Sequence, residues 1–180
     1  MVARRSCLLA SLATLASCSG EPERVHTISG PTMGSTYEVK VVGASKQADL
    51  ARNIVDLELQ AFDRAFSNWR DDSEIARVNA HRSTEPIEVS ERFADVLGTA
   101  LRVAVATGGA FDPTVKPLSD LYRAAKQAPD EPLSGAALAD AAALVGHDLV
   151  TVDGLQLTKL RADVQLDLDG IVAGLSLIHI

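Results

Sequence analysis

The stretch Gly108-Gly109-Ala110-Phe111-Asp112-Pro113-Thr114-Val115 constrains the fold more than any other. It follows a run, residues 91–107, in which Phe93, Val96, Leu97, Ala100, Leu101 and Ala104 recur at helical spacing. Gly108 falls where that helix must stop. The residue after a helix C-cap commonly needs a positive φ, which glycine reaches without a Cβ penalty. Gly109 and Ala110 keep the backbone bare enough for a ligand to approach closely. Pro113 drives Asp112 out of the α region into an extended conformation. The expected product is a carboxylate on a stiff, exposed corner directly after a helix. On these residues alone, a helix-ending turn with a solvated aspartate fits equally well.

The remaining segments supply what surrounds the corner. Residues 35–42 read as a half-buried strand with Tyr37, Val39 and Val41 on one face. Residues 47–66 read as one long helix. Its apolar face is expected at Leu50, Ile54, Leu57, Ala61 and Ala65, with Arg52, Asp56 and Asp63 in solvent. Asp72 or Ser73 can cap a short helix through Asn79, and Ser90 caps the helix that delivers the corner. A short strand is expected at 87–89, a helical turn or two at 118–126, and a loop at 128–132. An Ala-rich helix should run from a Ser134 cap to Gly146, leaving His147 at its C-terminal side, where a capping or surface role suits imidazole better than catalysis. Residues 149–159 read as a hairpin turning at Asp153-Gly154, and 164–168 as the start of another strand. Hairpins and helices without strict alternation predict an α+β fold, an antiparallel sheet covered by helices.

A chain of 180 residues with 47% hydrophobic content suits one core. Its net charge of −7 and pI near 5.0 argue against nucleic acid as a partner. The first 17 residues read as a signal peptide, with Arg4 and Arg5 ahead of a short apolar run. Leu15-Ala16-Ser17-Cys18 then matches a bacterial lipobox, which predicts lipidation of Cys18 and a lipidated tether over 18–24. Cys7 leaves with the leader, so no thiol remains for a disulfide, metal or nucleophile. The expected location is the bacterial cell envelope, lipid-anchored to a membrane and facing the periplasm or exterior. Residues 175–180 break the preceding pattern and coincide with the translation of a transposon-end adapter, so they are expected to be non-native read-through.

Four motifs stand in series: Gly30-Pro31-Thr32-Met33-Gly34-Ser35-Thr36, Phe66-Ser67-Asn68-Trp69-Arg70-Asp71-Asp72-Ser73, the corner itself, and Leu166-Asp167-Leu168-Asp169-Gly170-Ile171. Singly, each has a bland reading: Met33 as a core methionine before a strand, Trp69 as a surface-packed indole. In this order they resemble the ApbE-like family, the FAD:protein FMN transferases, over residues 25–174. The resemblance implies a T-fold-like layout, of which this chain supplies about the N-terminal half and is incomplete at the C-terminus.

The same resemblance implies FAD as substrate, contacted by Met33, Trp69, Ala110, Phe111, Asp112, Asp167 and the position of Ala173. Family members usually carry Lys or Glu at that last position. It also implies Mg2+, with the Gly170 carbonyl as one ligand. The reaction implied is Mg2+-dependent transfer of FMN from FAD to a Thr or Ser hydroxyl of a target protein, of the membrane redox subunit type, with release of AMP. The family's catalytic base and side-chain Mg2+ ligands belong to a C-terminal part with no counterpart here, so the catalytic residues are unassigned and this stretch alone is expected to be inactive. Two other readings stay open: a flavin-binding or FAD-hydrolysing trafficking lipoprotein, and a non-enzymatic envelope adaptor.

Overall fold

The structure is a computed structural model that describes residues 21–32, 35–128 and 133–179, with 176–179 as backbone only. Strands β1 (Arg24–Thr32) and β2 (Ser35–Gly43) form an antiparallel ribbon with Ile28 opposite Val39. β1 is hidden in the sequence because Gly30-Pro31 looks like loop. In a two-stranded ribbon both strands are edges, so a proline without an N–H is tolerated. The ribbon lies on α1 (Ser45–Phe66), where Tyr37 Oη donates to Asp56 at 2.8 Å.

Helix α1 turns a different face inward from the one expected. Val55, Leu59, Phe62, Ala65 and Phe66 are buried, whereas Leu50, Ile54 and Leu57 are exposed. Two apolar stripes compete on this helix, and the one carrying both phenylalanines faces the core. Phe66 stacks on Phe93 of α3 (Glu91–Ala106), with ring centroids 5.4 Å apart. Phe62 lies under the Arg92 guanidinium, which also pairs with Glu58. Ser90 caps α3 as expected, accepting from the Phe93 N–H.

A short α2 (Glu74–Ala80), capped by Ser73, leads through β3 (Ile87–Glu88) into α3. Beyond the corner come α4 (Lys116–Gln127), a full three turns, and α5 (Gly135–Ala142) behind its Ser134 cap. A 3-10 turn at His147–Leu149 opens β4 (Val150–Asp153), which pairs with β5 (Gln156–Lys159). The second sheet has the order β3-β5-β4, all antiparallel. Asp153 pairs with Gln156, so the hairpin's two turn residues are Gly154 and Leu155, and Gly154 has φ 54°. α6 (Asp169–His179) closes the described chain, with Leu175 against the core. The mixed α+β layout with antiparallel sheets and covering helices is the one expected. No helix among the described residues is long and apolar enough to cross a membrane.

Residues 164–168 do not form the strand expected there, although their alternation does mark burial: Val164, Leu166 and Leu168 are all fully buried. Their partner is a side chain. Asn79 accepts from Leu166 N–H at 2.7 Å and donates to Leu166 C=O at 2.9 Å, a one-residue imitation of a strand pair.

Lys159 is a cation buried in this core, 1% exposed, and donates to the carbonyls of Val78 at 2.7 Å and His81 at 2.9 Å. Burial, with help from the Arg82 charge, lowers its pKa to about 8. Between that value and its ordinary 10.5, the unfolded chain holds a proton that the folded chain has released. Stability should therefore rise with pH across this window, by about 1.5 kcal/mol between pH 8 and about 9.5. Urea titrations at several pH values check this. Lys159→Met should flatten the profile, and a wild-type profile already flat would contradict the burial argument.

Candidate functional site

The corner is built by the end of α3. Gly109 N–H bonds to Ala104 C=O at 2.9 Å and Gly108 N–H to Val105 C=O at 3.2 Å, the paired pattern of a Schellman ending. Both glycines have positive φ, 62° and 81°. A Cβ added at either would meet nothing within 4 Å, so the requirement is backbone conformation and not space. Thr107 Oγ1 accepts from Phe111 N–H at 3.2 Å and turns the chain back across the helix end.

Asp112 differs from the expected exposed carboxylate. Its side chain is only 10% exposed. Oδ1 accepts from Thr114 N–H at 2.8 Å and Thr114 Oγ1 at 2.6 Å, the carboxylate closing on the residue two positions on as in an Asx turn. Thr114 is fully buried, and its Oγ1 also accepts from Gly146 N–H at 2.7 Å. Oδ2 lies 3.5 Å from His147 Nδ1, so the histidine expected in a capping or surface role instead faces the corner.

Two more motifs meet here. The Pro113 carbonyl accepts from Asp167 N–H at 2.8 Å. Asn68 Nδ2 donates to Asp167 Oδ1 at 3.2 Å and to Asp169 Oδ1 at 3.1 Å, spanning about a hundred residues of sequence. Phe111 packs where a Gly170 side chain would be, since a Cβ there would stand 3.3 Å from its ring. Desolvation, then the Asp167 charge, push the Asp169 carboxyl above its ordinary range, partly offset by Asn68, Arg123 and Lys116. Trp69 is 71% exposed beside Asn68, with Arg123 of α4 over its ring at 5.3 Å. Ala110 and Ala173 are both exposed. Met33 and Cys18 lie outside the described residues. The residues on either side of Met33 and Gly34, Thr32 and Ser35, line a cleft of about 710 Å3 between the ribbon and Asp56 and Asp63 of α1. Arg70 reaches Asp63 at 3.3 Å, which places the Trp69 loop at that cleft's edge.

The sequence alone points to no part for Asn68, Asp169, Thr114 or Arg123. The spacing Asp167-x-Asp169 before a helix is the available signal for the carboxylate pair. Nothing local announces Asn68 as its bridge. As for a metal, no group of three His, Cys, Asp or Glu side chains among the described residues could hold one. Asp167, Asp169 and the Gly170 carbonyl offer oxygen donors of the kind Mg2+ takes, but not a complete set.

The sequence profile of the ApbE family matches residues 33–177. The chain belongs to the ApbE family. An FAD:protein FMN transferase of Vibrio cholerae serotype O1 is 37% identical over 169 residues, covering 92% of this chain and 50% of that protein. One from Haemophilus influenzae is 32% identical over 89% of this chain and 49% of its own length. The solved flavin transferase ApbE from Vibrio cholerae superposes with a TM-score of 0.76 at 32% identity, covering 86% of this chain and 51% of that one. The apo form of Pseudomonas stutzeri flavinyl transferase ApbE gives a TM-score of 0.75 at 29% identity, covering 86% and 49%. The chain spans about half the length of the curated ApbE relatives it matches. Its antiparallel sheets and covering helices are thus the ApbE layout expected from the four motifs.

Proposed function

We propose that this chain is the FAD-holding half of an FAD:protein FMN transferase. One observation carries the reading: the Asn68-Trp69 loop, the Ala110–Asp112 corner and the Asp167–Gly170 segment, distant in sequence, converge on one surface through side-chain and backbone hydrogen bonds. Family membership supplies the substrate class. Trp69 offers an exposed flat ring, the corner offers bare backbone, and Asn68 with the two aspartates offers polar groups for a flavin or ribityl chain.

In the complete protein, the oxygen of an acceptor Thr or Ser hydroxyl attacks the FMN-side phosphorus. The pyrophosphate P–O bond breaks, AMP leaves with the electron pair, and the hydroxyl proton passes to a general base. Mg2+, when bound, would neutralise pyrophosphate charge, with Gly170 C=O and the aspartates as partial donors. The acceptor belongs to a membrane redox subunit in this reading.

FAD and Mg2+ offered with an acceptor peptide to the complete protein give the test. A covalent yellow peptide plus AMP is expected. Free FMN plus AMP would indicate FAD hydrolysis instead, and no change would leave an adaptor. Asp112→Ala should weaken FAD binding by about 1–3 kcal/mol in a titration, since the corner loses the carboxylate that shapes it. Wild-type affinity in a folded variant would remove Asp112 from the site. The proposal extends to location: Cys18 carries the lipid that holds the domain on the envelope membrane. Cys18→Ala should release the protein from membranes, and unchanged fractionation and mass would reject the anchor.

A further inference from the structure

We propose that Arg123 is a positioning residue for Trp69, holding the indole in one orientation so that a planar ligand meets a preset ring face. An indole 71% exposed on a loop has little packing of its own to fix it. The backbone is tied from one side, with Trp69 N–H 3.3 Å from Ser67 Oγ. The ring is met from a different element. Arg123 Cζ lies 5.3 Å from its centroid, within cation–π range.

Arg123 is itself held. Its Nη1 donates to Asp120 Oδ1 at 2.8 Å, and Lys116 Nζ grips the same carboxylate at 2.8 and 3.1 Å. Lys116, Asp120 and Arg123 fall on one face of α4 at steps of four and three. α4 starts at Lys116 behind its N-cap Val115, the residue that follows Thr114, which locks Asp112. The corner therefore sets where α4 begins, and α4 sets where the guanidinium sits over Trp69. The ligand class, a planar heteroaromatic ring of a dinucleotide, rests on the flavin reading above. The positioning itself does not.

Trp69 is the single tryptophan of the chain, so intrinsic fluorescence reports on this ring alone. Steady-state anisotropy, iodide quenching and caesium quenching of the ligand-free full chain form the test, with Arg123→Ala, Arg123→Lys and Asp120→Asn. In the wild type, the preference for iodide over caesium should exceed that of N-acetyltryptophanamide, because the guanidinium concentrates anions at the ring. Arg123→Ala should lower the anisotropy and abolish that excess, with far-UV circular dichroism unchanged. Arg123→Lys should keep the excess but not the full anisotropy, and Asp120→Asn should move both partway. If anisotropy in Arg123→Ala matches wild type, the inference is overturned. Should Arg123→Ala misfold, wild-type anisotropy in Arg123→Lys and Asp120→Asn overturns it equally. A separate FAD titration of the complete protein is expected to show about tenfold weaker binding in Arg123→Ala. Failure of the wild type to bind FAD would count against the flavin reading and leave the fluorescence result standing.

Discussion

Replacing Asn79 with alanine should lower the unfolding free energy by about 2–6 kcal/mol, enough to threaten the fold. The carboxamide satisfies both backbone groups of Leu166 at 2.7 and 2.9 Å, in a segment whose neighbours Val164 and Leu168 are fully buried. Alanine would leave a donor and an acceptor without partners in the core, each costing about 1–3 kcal/mol. Asn79→Asp should be nearly as harmful, since it can accept from Leu166 N–H but its charge repels the carbonyl. Urea or thermal unfolding measures the effect. The consequence reaches the site, because Asp167 is the next residue. A variant that unfolds with the wild-type midpoint would show that water readily takes over both bonds.

Thr114→Val is expected to cost roughly 2–4 kcal/mol despite its matching shape. The hydroxyl donates to Asp112 at 2.6 Å and accepts from Gly146 N–H at 2.7 Å. Valine abandons that N–H and removes a bond to a carboxylate, which is stronger than one between neutral groups. Thr114→Ser keeps the hydroxyl and should recover most of the loss. FAD affinity should fall with Thr114→Val as it does with Asp112→Ala, and the double variant should add little, since one linkage is broken either way. Additive losses would mean that the two residues act separately.

Legibility in this sequence follows the range of the interactions. The Ser73, Ser90 and Ser134 caps and the Gly108 helix ending are decided within a few residues, and each stands where local chemistry puts it. Gly109's positive φ completes the same local device. Longer-range choices are hidden. On α1, both stripes satisfy helical spacing, and only packing against Phe93 selects the Phe62–Phe66 side. At 164–168 the alternation marks burial correctly, but no periodicity reveals that the partner is an asparagine 87 residues away. Asp112 stands out for its neighbours Gly109 and Pro113, yet its burial depends on Thr114 and His147 closing over it.

The β1–β2 ribbon is joined to the rest through few groups among the described residues: Ile28, its one fully buried large side chain, and the Tyr37–Asp56 bond. The main apolar cluster, from Phe62 through Val172, does not include it. The two parts should consequently open at different free energies. Amide protons of Ile28 and Val39 are expected to exchange with deuterium by detachment of the ribbon alone. Those of Leu97 and Ala100 must wait for global unfolding. The cleft beside Thr32 and Ser35 is therefore walled on one side by the element expected to open first in this chain, while the corner and core stay closed.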